Sequence, residues 1–246
     1  MKRIAKVSAV AAVLSMMLAG WANAADQTIL GRSFLVKNPG SPEKRKVTGA
    51  AKEVDSPNTI VGDPTLPGSA GGAILGSAGG AILGSAGGAL LGSAGGAVLT
   101  VIANGDHPSQ QIFPLKQGKS STGKPFWRAS VANGVTNGFK YKDPNGEQGA
   151  VKAVLIKKTT AGVFSIKVVL RGKNGTINVV PPNPGTDGFI TLFLAHGDRY
   201  CVAYAGGTPV NDGDRLFKVR RPTVEGCPAP SSPSGAFVDA PDDPSD

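Results

Sequence analysis

The chain has 246 residues, with 26 Lys and Arg against 17 Asp and Glu, a formal net charge of +9. Its cysteines, Cys201 and Cys227, do not form a C-x-x-C pair, which argues against a cysteine-held zinc ion or a thioredoxin-like centre. A basic balance of this size points to anionic partners such as lipopolysaccharide, acidic polysaccharide or nucleic acid.

Lys2, Arg3 and Lys6 open the chain, an apolar run follows from Val7 to Leu18, and small residues close the segment at Ala22-Asn23-Ala24. That layout predicts a secretory signal peptide over residues 1–24, cut after Ala24. The competing reading is a membrane anchor, but the run is short of the about 20 residues that a hydrocarbon core requires. Trp21 stands where a lipoprotein would need cysteine. Export to the periplasm or beyond is expected, with no stable membrane span after cleavage. Cleavage leaves 23 Lys and Arg against 17 Asp and Glu, a net of +6.

Residues 25–67 hold two weaker strand candidates, Thr28 to Val36 and Lys46 to Val54, separated by Asn38-Pro39-Gly40-Ser41-Pro42. They are expected to join the main β domain. Residues 68–99 then read GSAGGAIL, GSAGGAIL, GSAGGALL and GSAGGAVL, with a glycine at every fourth position from Gly68 to Gly96. One reading is a glycine-zipper helix in a membrane, since small residues at this spacing let helices approach closely. The glycines of each octad cost a helix about 3 kcal/mol relative to alanine in water. Its two large aliphatic residues contribute only about 1 kcal/mol in lipid. A second reading is a silk-like β stack, with the aggregation hazard that uncharged, proline-free segments carry. The third is an insertion by recent duplication, because the last copy runs directly into the apolar segment Val98 to Ala103. The insertion is preferred, with dispensable outer copies.

From residue 100 to 227 the chain is cut by Asn-Gly at 104, 133, 137, 145 and 174 and by Asp-Gly at 187 and 212. Flanked by strands, these dipeptides mark hairpin turns. Val163 to Arg171 alternates strictly, with Phe164, Ile166, Val168 and Leu170 on one face, the period of a half-buried strand. Val151 to Lys158 precedes it, and Thr160-Ala161-Gly162 would close the pair. Further strands are read at Ile177 to Val180, Phe189 to Ala195, Arg199 to Ala205 and Leu216 to Arg220. No helix-period segment of normal length appears after residue 24, so the expected fold is all-β, an antiparallel β-sandwich. Residues 228–246 carry prolines and four aspartates without Lys or Arg, and are expected to form a disordered acidic tail.

Candidate chemistry is sparse. His196 lies in Ala195-His196-Gly197-Asp198, which reads as a tight turn, and His107 precedes Pro108 in a polar loop. No G-x-S-x-G elbow is present. Asn211-Asp212-Gly213-Asp214, helped by Asp187 or Asp198, could offer oxygens to Ca²⁺, but a hairpin turn explains it better. Trp127, beside Arg128 and near Lys124, is a candidate ligand contact that could stack on a sugar ring; the alternative is a core tryptophan. Asn174-Gly175-Thr176 matches a glycosylation sequon and reads as a turn. In an oxidising compartment Cys201 and Cys227 are a candidate disulfide, one that would contribute roughly 3 kcal/mol. The lysines sit mostly at alternating strand positions, where they would solvate outer faces and blunt sheet edges.

Four phrases in order, GFKYKDP from Gly138, VVPPNPGTDG from Val179, GDRY from Gly197 and LFKV from Leu216, resemble an uncharacterised family of exported bacterial β-rich modules. The resemblance spans most of residues 28–227 and implies fold and location, not an activity. In that family the sheet start matching Gly96 to Val101 occurs once, which favours the duplication reading. The sequence is thus read as a secreted or periplasmic, monomeric, non-enzymatic module without cofactors or metals. It would bind an anionic glycan or other envelope component, or a protein, and not nucleic acid. The alternative is a structural protein that assembles, or associates with membranes, through its octapeptides.

Overall fold

The computed structural model describes residues 26–66, 95–224 and 226. The signal-like segment, most of the octapeptide repeat, Cys227 and the acidic tail lie outside these residues. The described chain is all-β. Strands β1 (Asp26–Lys37) and β2 (Lys46–Glu53) come first, then β3 (Ala97–Gly105), β4 (Ser109–Leu115), β5 (Trp127–Ala132) and β6 (Val135–Lys142). Strands β7 (Val151–Lys158), β8 (Phe164–Arg171), β9 (Gly185–Leu194), β10 (Arg199–Ala203), β11 (Thr208–Asp212) and β12 (Leu216–Arg220) complete them.

The strands form one continuous curled sheet in the order β4-β3-β9-β10-β1-β2-β8-β7-β6-β5, with β12 on β1 and β11 on β12. Its hinge is β1. Asp26 to Leu30 pair in parallel with Arg199 to Ala203 of β10, whereas Gly31 to Lys37 pair antiparallel with β2, and Ser33 to Lys37 with β12. A register shift between Gly31 and Ser33 marks the change of partner. Such irregularities bend a strand and let it serve two sections of sheet. The minor section is thus β4, β3, β9, β10 and the first half of β1. The major section is the second half of β1 with β2, β8, β7, β6 and β5 on one side and β12 and β11 on the other.

Side chains of the two sections meet in one core. Phe164 on β8 stacks on Tyr200 of β10 with ring centroids 5.9 Å apart. Phe34 on β1 stacks on Tyr204 at 5.0 Å and meets the Phe217 edge at 6.0 Å. Tyr204 fits only because Gly31 and Gly49 lack side chains: a Cβ on Gly31 would overlap its ring, and one on Gly49 would stand 2.5 Å from its hydroxyl. Fully burying an aromatic side chain of this size stabilises by roughly 1.5–3 kcal/mol, so these contacts fasten the curl.

The alternation read over Val163 to Arg171 holds in β8: Phe164, Ile166, Val168 and Leu170 are buried and Lys167 is exposed. Thr159 to Val163 close the hairpin, the Thr159 N–H donating to the Val163 carbonyl at 2.9 Å. Asn133-Gly134 joins β5 to β6 with φ of 52° and 77°, the geometry of a two-residue hairpin turn. Asn-Gly at 104 and Asp-Gly at 187 are not turns; Asn104 faces Asp187 across β3 and β9, its amide donating to that carboxylate at 2.7 Å. Asn137-Gly138 lies inside β6, with Gly138 opposite Lys157. Ile177 to Val180 is not a strand. It runs beside β4 on side-chain bonds instead of a ladder: Asn178 N–H donates to Gln111 Oε1 (2.6 Å) and Val180 N–H to Ser109 Oγ (3.2 Å). Pro181 and Pro182, which lack an N–H, follow immediately.

The last five repeat residues belong to this fold. Gly95 and Gly96 lead into β3, where Ala97, Val98 and Leu99 are buried. Leu66 and Gly95, which flank the segment 67–94, are neighbours: a Cβ on Gly95 would sit 2.5 Å from the Leu66 carbonyl oxygen. Gln117 straps the pair, its amide donating to the carbonyls of Pro64 (2.8 Å) and Leu66.

Candidate functional site

The outward face of the major section is cationic from one side to the other. Inward positions of its strands fill the core, so the intervening residues point to solvent. On β2 these are Lys46, Thr48, Ala50 and Lys52, alternating with buried Val47 and Ala51. On β8 they include Lys167 and Arg171, on β7 Lys157, and on β6 Lys140 and Lys142. Arg128 on β5, Arg32 and Lys37 on β1, and Lys218 and Arg220 on β12 extend the face. No outward position on these strands is Asp or Glu. Glu53 on β2 stands at the inward register, opposite buried Phe164, and Asp212 lies opposite Leu216 on the rim strand β11.

Register brings like charges directly opposite one another. Lys46 faces Lys37 on β1 and Arg171 on β8, so three cations stand abreast across adjacent strands. Arg128 faces Lys140 in the same way. Side chains at opposite positions have Cβ atoms about 4.5–5.5 Å apart, and like charges there destabilise a sheet. Edge protection does not explain them, because β1, β2, β8, β7 and β6 all have neighbours on both sides; among these cations, only Arg128 sits on an edge strand. Solvation alone would be served as well by mixed signs. Among the described residues the ion pair, Arg199 with Asp26, lies on the minor section.

Lys46 feels this crowding most. Partial burial holds its ammonium pKa below the ordinary lysine value, and the charges of Arg171, Lys37 and Lys167 add to the shift. Around it, Arg32, Ser33, Thr48, Lys167 and Arg171 line a shallow groove of about 520 Å³. A second groove of similar size, about 510 Å³, holds Arg32 and Lys52 together with Glu53 and Asp55. Of its two acids, Glu53 is committed to the fold, accepting from Leu30 N–H at 2.8 Å and Ser56 Oγ–H at 2.6 Å.

The residues singled out from sequence fall elsewhere. Trp127 is only 4 % exposed; its indole N–H donates to the Leu115 carbonyl at 3.1 Å and its ring leans on Tyr141 at 5.3 Å. It is therefore a core residue and offers no open face for a sugar to stack on, which corrects the sequence-based candidate. Arg128 and Lys124 are exposed, and Arg128 joins the cationic face. His196 occupies the β9–β10 turn with φ of 58° and is exposed. Asp212 to Asp214 form the β11–β12 turn, and Asn211 clamps Gly185 through its N–H (2.9 Å) and carbonyl (3.1 Å). Among the described residues no group of three or more His, Cys, Asp or Glu is placed to hold a metal ion. Asn174 of the sequon donates to the Asp143 and Pro144 carbonyls at 3.2 and 3.3 Å. Cys201 is fully buried and disulfide-bonded; Cys227 lies outside the described residues.

No protein-family model, curated protein or solved structure matches the chain.

Proposed function

We propose that the protein is an exported, non-enzymatic binding module whose cationic sheet face takes an anionic glycan of the cell envelope or extracellular matrix. One observation carries the reading: across seven adjacent strands the outward positions supply Lys and Arg repeatedly and no carboxylate. That arrangement costs stability through like-charge pairing, and a polyanion laid across the strands offsets it. The contacts between the major and minor sections support a β-sandwich as the underlying architecture, with β1 passing through both layers. The closeness of Leu66 and Gly95 supports the octapeptides as an insertion into a complete fold. Export rests on the residue pattern before Ala24.

The test is binding of a sulfated polysaccharide by calorimetry at 50 and 200 mM salt. Saturable binding that weakens steeply with salt, and is abolished by Lys140→Glu with Lys167→Glu and Lys218→Glu in one folded variant, is expected. Salt-independent binding, or none to any acidic polysaccharide, would remove the proposal.

A further inference from the structure

Resting on that reading, we infer that the groove around Lys46 is a discrete subsite for a tetrahedral dianionic group, the phosphate monoester of an acidic glycan. The cations of the face are not evenly spread. Lys37, Lys46 and Arg171 form a row on interior strands; Lys46 and Arg171 line the groove, and Lys167 joins them from four residues along β8. Arg32 closes it from the bulge in β1, where the change of partner turns the strand. Thr48, between the arms of this cluster on β2, adds a hydroxyl donor to the floor.

Three features select the ligand. The groove carries several positive charges and no carboxylate, so a monoanion such as a uronate leaves repulsion uncompensated where a dianion removes more of it. Its volume of about 520 Å³ holds a charged group with one sugar, not a length of polymer. Arg32 and Arg171 present planar forks suited to two oxygens of one tetrahedral group, while lysines act as point charges. The depressed Lys46 ammonium is the group that gains most, since a bound dianion supplies the counter-charge that the fold withholds.

The experiment titrates the whole protein with inorganic phosphate, inorganic sulfate and acetate at constant ionic strength, followed by calorimetry and lysine side-chain NMR. Saturable 1:1 binding of phosphate and sulfate at least tenfold tighter than acetate is expected, with an upward shift of the Lys46 titration. Lys46→Met and Arg171→Met should each weaken it tenfold or more, with circular dichroism unchanged. Lys116→Met, exposed after β4 and outside the strands of the cationic face, should not. Equal weak binding of all three ions, or equal effects of Lys46→Met and Lys116→Met, would overturn the subsite. Polymers separate the two levels. Preference for a phosphorylated over a sulfated polysaccharide, whose esters carry one charge each, is expected, and the reverse preference would overturn the dianion subsite. Equal binding of a carboxylate-only polysaccharide leaves the face standing and removes the subsite. Binding of the small oxyanions without any polymer keeps the subsite and removes the face.

Discussion

Lys46 stands directly opposite Arg171 on the neighbouring interior strand, two like charges at one register position in the middle of a sheet. Opposed like charges cost up to about 1 kcal/mol, so Lys46→Met should stabilise the free protein by roughly 0.5–1 kcal/mol. Urea denaturation measures this. A variant that is more stable and binds anions less well marks a site where stability has been given up for function. Destabilisation by Lys46→Met would mean that the charge row is structurally satisfied after all.

All three tyrosines of the chain, Tyr141, Tyr200 and Tyr204, are buried. Burial raises each phenol above its ordinary value, Tyr200 to about 12 with a further push from Asp198. A raised pKa favours the neutral ring in the fold. Its stabilisation is therefore complete below the unfolded value near 10 and is lost as pH climbs through the folded value. Absorbance at 295 nm should show almost no tyrosinate at pH 10, then a steep rise coinciding with unfolding. Gradual ionisation near pH 10 with the far-ultraviolet spectrum intact would contradict the buried positions.

Gly31→Ala and Gly49→Ala should each destabilise by about 1–3 kcal/mol, since the added methyl meets the Tyr204 ring or hydroxyl in a packed core. Gly134→Ala serves as the comparison, because no atom lies within 4 Å of its would-be Cβ. Its positive φ still strains the turn, so a smaller loss is expected there. Thermal melts of the three variants rank them.

Cys201 is disulfide-bonded, and the chain has one other cysteine, Cys227. If those two pair, Cys227→Ser should free one thiol and lower stability by roughly 3 kcal/mol. Thiol titration under denaturing conditions should count none in the parent and one in the variant. Two thiols in the unreduced parent would exclude the bond.

Removing residues 68–91 leaves a single octad, whose last three residues open β3. Because Leu66 and Gly95 already touch, the shortened chain should fold with the same strand content and the same melting midpoint within a few degrees. Light scattering on both forms tests the competing assembly role. Association of the longer form alone would transfer the function to the octads.

The strands built on alternation were legible from residues alone. β8 and β12 fall where buried Val, Ile, Leu and Phe recur at every second position, and β7 was read from its apolar run and the turn after it. Strands β4, β5, β6 and β11 were not read. β4 carries Gln110, Gln111 and Pro114; β6 carries Asn137-Gly138, a turn signal outweighed by pairing on both sides. The candidate site was hidden for a different reason. Alternation places a lysine on the outside of one strand, but only the register between β1, β2 and β8 aligns Lys37, Lys46 and Arg171 abreast. The pairing of β2 with β8 joins residues more than a hundred positions apart. Trp127 drew attention because of its cationic neighbours, although the neighbours point outward and the indole inward.

The pinched base formed by Leu66, Gly95 and Gln117 separates the length of the intervening segment from the geometry of everything else. Copies of an eight-residue unit can then be gained or lost in whole numbers without shifting β3 in its ladder. A tandem DNA repeat prone to replication slippage would meet no structural resistance at this position. Close homologues of this chain should therefore differ in octad number while keeping Gly95 to Leu99 and Gln117.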